Sequence, residues 1–279
     1  LVEHELIELA QPNYIYRQKL VPNDIKYSSQ WGLPQVNATA GWDYETGSSN
    51  SIVVAIIDSG IDYNHADLTT NIWKNLGEIP ENKIDDDGNG YIDDVYGWDF
   101  HSIPEDNQPN EGEHGTHVAG IVGAISNNNQ GVAGVMWSCQ LMAVRVLGDQ
   151  GSSDEGGYTS NIAKGITYAV NNGANIINMS LGADSNDFTL KEAIDYAYSQ
   201  GVVLVAAAGN DNTTIESYPA AYGNVISVGA TDTNDSRANF SNYGSWVDIV
   251  APGVDIFSTV NGFDGYGNKI GTSMSTPFV

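Results

Sequence analysis

Apolar positions in this chain fall into short runs separated by polar, glycine-containing breaks. The first uninterrupted run, Ser51–Ile57, stops at Asp58-Ser59-Gly60, as a buried strand ending in a turn would. Leu141–Leu147, Asn175–Met179, Val202–Ala206 and Val225–Val228 have the same character and predict further strands. Between them the period lengthens. Val118–Ile125, Tyr158–Val170 (with Ile162, Ile166, Tyr168 and Ala169 on one spacing) and Leu190–Ser199 read as helices. Strands alternating with helices imply parallel βαβ units. The expected fold is therefore α/β, three layers α/β/α around a mainly parallel sheet. Asp- and Asn-rich residues from Asp62 to about Glu113 interrupt this rhythm. Residues 1–20 stand apart: charged and apolar positions alternate over Leu1–Ala10, and Gln11-Pro12-Asn13-Tyr14 breaks the pattern. There is no internal repeat.

Composition narrows the function classes. With 41% hydrophobic residues and 31 glycines among 279 residues, the chain buries a sizeable core and makes many tight turns. The longest apolar runs, Ile52–Ile57 and Val202–Ala208, are too short to span a bilayer. A formal net charge of -25 opposes binding to phosphate backbones and anionic lipid, so neither nucleic acid nor membrane is an expected partner. Only 16% of residues are charged, so the imbalance reflects scarce Lys and Arg. It is compatible with a solubilising surface and with carboxylates gathered around hard cations. The single cysteine, Cys139, excludes an internal disulfide and reads as a buried apolar side chain.

In a parallel sheet the chemistry lies beyond the carboxyl ends of the strands. Asp58 closes one predicted strand, and Ser180-Leu181-Gly182 and Gly209-Asn210 follow two others. Amide hydrolysis requires a nucleophile, a base, a group to hold the base, and donors for the oxyanion. The candidates are Asp58 in Ile57-Asp58-Ser59-Gly60, His114 in His114-Gly115-Thr116-His117, Asn210 in Ala207-Ala208-Gly209-Asn210, and Ser273 in Gly271-Thr272-Ser273-Met274-Ser275. Singly, each has a plainer reading as a turn former, surface histidine or helix cap. His114 and His117 could suggest zinc, but no Glu stands between them as in a His-Glu-x-x-His helix. A separate run, Ile84–Asp94, places Asp85, Asp87 and Asn89 before Gly90 with the one-three-five spacing of an EF-hand loop. Its twelfth position is Tyr96 rather than Glu, so Asp93 or Asp94 would have to close a cation site there.

Taken together, in the order Asp, His, Ser, these segments resemble the subtilase (subtilisin-like) serine endopeptidases over essentially all of Val21–Val279. The spacing of Pro22-Asn23-Asp24 and of Asn127-Asn128 is most similar to thermitase-type members. The resemblance implies Ser273 as nucleophile, His114 as general base and acid, and Asp58 as its orienting group. The Asn210 amide and the Ser273 N–H would form the oxyanion hole. Ser180, Leu181 and Gly182, with Ala207, Ala208 and Gly209, match the segments that pair with an extended peptide and wall its main pocket. Ser217 matches the pocket floor, and a small residue there implies broad specificity for large apolar side chains. Asp24, Asp67 and Asn128, with the carbonyls of Ile125, Gln130 and Val132, match a Ca²⁺ site.

The resemblance also sets the expected organisation. Residues 1–20 match the tail of an inhibitory prodomain or a retained N-terminal arm, and 21–279 the catalytic domain. That domain ends six residues after Ser273, short of the family's long helix, with Phe278 in place of a commonly seen His and a hydrophobic groove left unfilled. The expectation is a secreted, monomeric, calcium-dependent endopeptidase made as a zymogen, acting on proteins or peptides and inhibited by its own prodomain. The alternative is a catalytically silent module that binds calcium and peptides through the same groove.

Overall fold

The computed structural model describes residues 11–14, 20–47, 51–110, 112–149, 151, 153 and 155–279. Of the segment 1–20, only residues 11–14 and 20 are described, and these are exposed; the rest of that expectation lies outside the described residues. Two short helices, α1 (Gly32–Gln35) and α2 (Ala38–Trp42), precede strand β1 (Val53–Asp58). There follow β2 (Gly97–Asp99), α3 (Glu113–Gly123), β3 (Gln140–Arg145), α4 (Thr159–Asn171), β4 (Ile176–Met179), α5 (Phe188–Ser199), β5 (Val203–Ala207) and β6 (Ile226–Thr231). The order ends with β7 (Ile249–Pro252), an antiparallel hairpin of β8 (Ile256–Thr259) and β9 (Tyr266–Lys269), and α6 (Thr272–Ser275), which runs into a 3-10 turn over Thr276–Phe278.

β1 is the centre of the molecule, and its sequence explains why. All six residues are buried, so both faces must be covered. Val53, Ala55 and Ile57 pack into the cluster that includes Ile162, Ile166 and Ala169 of α4 and Ile194 of α5. The alternate residues Val54 and Ile56 face Val118, Ile121 and Val122 of α3 and Met274 of α6. The period of two along one strand thus separates two helical layers. The result is a three-layer α/β/α sandwich.

Seven strands form one sheet in the order β2-β3-β1-β4-β5-β6-β7, every neighbouring pair parallel. After β1 the chain crosses to the edge at β2, returns to β3 beside β1, and then crosses over to β4 and builds outward to β7. The strand order thus reverses at β1, whose carboxyl end carries Asp58. On the α6 face, Phe278 packs against Val205, Val228 and Ala251. Val203, Ile226 and Ile249 lie on that same face by register and are exposed.

Candidate active site

The aspartate at the end of β1 is wholly buried and accepts two hydrogen bonds through Oδ1. One comes from Ser59 N at 2.7 Å; the other joins it to His114 Nδ1 at 2.8 Å. His114 is the second residue of α3, which must approach the strand closely to bring the ring this near. Gly115 makes that approach feasible, because a Cβ there would lie 2.2 Å from Gly60 O and 3.2 Å from Asp58 Oδ1. Gly112 precedes the helix without a capping side chain, and the Asp149 carboxylate supplies the cap by accepting Glu113 N at 2.9 Å. Burial favours the neutral imidazole of His114. The charge of Asp58 and its hydrogen bond outweigh that effect and hold the pKa above its ordinary value of 6.5.

His117, one turn on, is fully buried, with Nε2 2.9 Å from Ile256 O and 3.1 Å from Gly267 O. Burial lowers its pKa to about 4. It ties α3 to the β8–β9 hairpin through these two carbonyls.

Ser273 is the second residue of α6. Its Oγ donates to Ser180 O at 3.1 Å, and Ser180 Oγ in turn donates to Ser273 O at 2.8 Å. The expected hydrogen bond to His114 is thus replaced here by a reciprocal clasp with the end of β4. The amide oxygen of Asn210 accepts Thr272 N at 2.9 Å and Thr272 Oγ1 at 3.0 Å, which leaves Nδ2 as the outward donor. A Cβ on Gly271 would lie 3.5 Å from Asn210 Nδ2 and 3.7 Å from Ser273 N, so both donors border one small space. Gly271 has φ +149°, in the region that favours glycine, and keeps that space open.

A cavity of about 380 Å³ opens beside Asp58 and His114, lined by Gly157, Ser180, Leu181 and Leu190 among others. The segment after β4 is pinned by Ala183 and Tyr218, which exchange backbone hydrogen bonds of 3.0 and 2.8 Å. This brings Gly182 against Ser217, where a Cβ would meet Ser217 Oγ at 2.6 Å. Gly209 follows Ala207 and Ala208 at the end of β5, and a Cβ there would lie 3.7 Å from the Cβ of the same serine. The residues expected to wall and floor one pocket are contiguous.

The first set of cation candidates also converges. Asp24 accepts Asn127 N at 2.7 Å and Asn128 N at 3.3 Å; Asp67 accepts Asn128 Nδ2 at 2.9 Å and Val132 N at 2.8 Å. Both carboxylates are buried, and burial raises both pKa values; the charge of Asp24 adds to the rise at Asp67. Among the described residues, the carbonyls of Ile125, Gln130 and Val132 accept no hydrogen bond, although Val132 is fully buried. Buried carboxylates and unpaired carbonyl oxygens facing one loop form an oxygen donor set that suits a hard cation.

The Asp-rich loop is arranged differently from its EF-hand spacing. Asp85 turns to the amides of Gly88, Asn89 and Gly90, and Asp93 to those of Asn82 and Lys83. The carboxylates that gather are Asp87, Asp94 and Glu78, whose oxygens lie within 4.8 Å of one another. Asn89 bridges Asp87 and Asp94 through Nδ2. Glu78 also accepts loop amides, those of Asp86, Asp87 and Asp93, so what sets it apart from Asp85 and Asp93 is only that it meets Asp87 and Asp94. Glu78 escaped the sequence reading because it comes from an earlier turn, before the motif begins. Asp149 and Thr272 escaped it as well; their contacts cross from one loop or element to another and leave no local signal.

With this geometry in hand, comparison with known proteins is informative. Residues 49–279 match the subtilase family model. The chain is 42% identical over 281 residues to a thermophilic serine proteinase of Bacillus sp. (strain AK1), covering 100% of this chain and 63% of that protein, which is less than two thirds of its length. It is 42% identical over 260 residues to thermitase of Thermoactinomyces vulgaris, covering 92% of this chain and 82% of thermitase. A solved structure of proteases from Pseudoalteromonas arctica PAMC 21717 superposes with a TM-score of 0.77 at 32% identity, over 92% of this chain and 84% of that one. Sequence and fold agree: this chain belongs to the subtilase family of serine endopeptidases and is thermitase-like.

Proposed function

We propose that this protein is a secreted, calcium-dependent serine endopeptidase of broad specificity, working through Asp58, His114 and Ser273 with an oxyanion hole at Asn210. The observation that carries this reading is the 2.8 Å contact between His114 Nδ1 and Asp58 Oδ1 at the sheet's switch point. The amide of Asn210 and the N–H of Ser273 bordering one space support it. Rotation of Ser273 about its Cα–Cβ bond releases Oγ from Ser180 O. His114 Nε2 takes the hydroxyl proton as Oγ attacks the scissile carbonyl, and later delivers it to the leaving amine. Asp58 stays ionised and holds Nδ1–H, so that Nε2 is the basic nitrogen. Asn210 Nδ2 and Ser273 N donate to the oxyanion as it forms.

An extended peptide adds as a strand along Ser180–Gly182, so its backbone supplies affinity while Gly182, Gly209 and Ser217 leave room for a large apolar side chain. The first Ca²⁺ is held by Asp24, Asp67 and Asn128 with the carbonyls of Ile125, Gln130 and Val132. The second is held by Asp87 and Asp94 with Glu78. Their chemistry is structural: the first neutralises Asp24 and Asp67, and the second Asp94, carboxylates whose charged forms burial makes costly. The prodomain as inhibitor and the monomeric state belong to the same proposal.

A fluorophosphonate probe should label the wild type and not Ser273→Ala; equal labelling of both would remove Ser273 from the mechanism. The clasp between Ser273 and Ser180 favours a second reading, a peptide- and calcium-binding module without turnover. Casein hydrolysis, with and without calcium, separates the two.

A further inference from the structure

The β8–β9 hairpin contributes no residue to the expected calcium shell, yet it sends one buried polar atom towards it. Tyr266, the first residue of β9, has a buried hydroxyl beside the carboxylates of Asp67 and Asp264, with no well-aligned hydrogen bond to either among the described residues. A Cβ on Gly131 would lie 2.1 Å from that hydroxyl and 2.1 Å from Asp67 Oδ2. The phenol and the carboxylate thus flank one point, with Gly131 leaving the gap between them. The ring is held from two further sides. His65 meets it edge-on at 5.3 Å, and His65 Nδ1 accepts Asp67 N at 3.1 Å. Lys26 Nζ stands 5.0 Å from the ring centroid, and Lys26 N donates to Gly131 O at 2.8 Å.

We infer that Tyr266 is part of the Asp24–Asp67 cation site, orienting Asp67 through its hydroxyl, and that calcium there holds the β8–β9 hairpin against α3. This rests on the calcium reading above. The physical need is plain: a buried hydroxyl without a partner is costly, and a cation that draws Asp67 into a fixed orientation gives the phenol a charged acceptor. The consequence reaches the active site through the backbone. Gly267, next to Tyr266, places its carbonyl 3.1 Å from His117 Nε2 on α3, and Gly265 O lies 2.8 Å from His65 Nε2. Lys269, at the end of β9, pairs with Glu113 at 2.7 Å, one residue before His114. Tyr266 is therefore a positioning residue shared by the metal site and the helix that carries the base.

The experiment measures calcium affinity by titration calorimetry and amide hydrogen exchange over residues 265–269, for the whole protein and for Tyr266→Phe, with circular dichroism checking that both are folded. Expected is a roughly tenfold weaker first calcium site in Tyr266→Phe, the size typical of removing a group that orients a ligand. In the wild type, chelation should speed exchange in the hairpin more than in β4 or β5. Equal affinities in the two proteins, or hairpin exchange indifferent to calcium that is demonstrably bound, would overturn the inference and leave the calcium reading intact. A wild type that binds no calcium would remove both.

Discussion

At His114 two opposing effects meet. Burial disfavours its charge while Asp58 favours it, and the net pKa lies above 6.5. As the proposed base, His114 would work only when neutral, so kcat/KM should rise with pH through an apparent pKa above 6.5. Asp58→Asn should move that midpoint down and lower the plateau, as a pH–rate profile on a peptide ester would record. As the proposed oxyanion donor, Asn210 would act only once charge develops. Asn210→Ala should cost roughly 10²–10³ in kcat with KM little changed, the size known for removing such a donor from a subtilisin. His117 has the opposite electrostatics, kept neutral by burial with a pKa of about 4. Since its pKa falls on folding, the unfolded chain binds protons first. Its contribution to stability is complete above about pH 6.5 and is lost as pH falls towards 4, on the order of 3 kcal/mol by linkage. Urea unfolding between pH 7 and 4 should show that loss, and His117→Gln should flatten it.

Elements were legible where local pattern and burial coincide. β1, β3, β4, β5 and β6 and the helices α4 and α5 lie within a few residues of their expected positions, because a strand buried on both faces is a continuous apolar run. α3 begins at Glu113, five residues before its apolar pattern. Its first turn is Glu-His-Gly-Thr, whose reason for being helical is the Asp149 cap and the close packing of Gly115 on Gly60. β2 and β7 gave no signal. β2 is three residues long, and β7 is an edge strand with Ile249 and Val250 exposed. The role assigned to the cap is testable: Asp149→Ala should cost about 1 kcal/mol in urea unfolding. It should lower kcat more than binding of a peptide aldehyde, because the helix end bears the base.

At the scale of the molecule, a net charge of -25 includes two groups of carboxylates brought together by the fold. Asp24 and Asp67 come from separate segments of the chain, whereas Glu78, Asp87 and Asp94 belong to one loop region. A cation at the first site should therefore tie distant segments together, and one at the second should stabilise its loop. At about 100 times Kd, bound calcium adds roughly 2.7 kcal/mol per site, so chelation should lower the melting temperature by several degrees and sodium chloride should restore little. A melting temperature indifferent to chelator would sink both cation sites.

By itself the sequence determined the layer architecture, the strand ends that carry chemistry, and the family. Each of these is written in short-range patterns, the alternation of strand and helix periods and the contiguous runs around Asp58, His114, Asn210 and Ser273. Only the tertiary structure decided which carboxylates converge and which turn to their own loop's amides. It also placed Ser273 Oγ on Ser180 O and directed Tyr266 at Asp67. Those outcomes depend on rotamers and on approaches between segments up to 200 residues apart, and side-chain direction across such a distance has no imprint in local spacing.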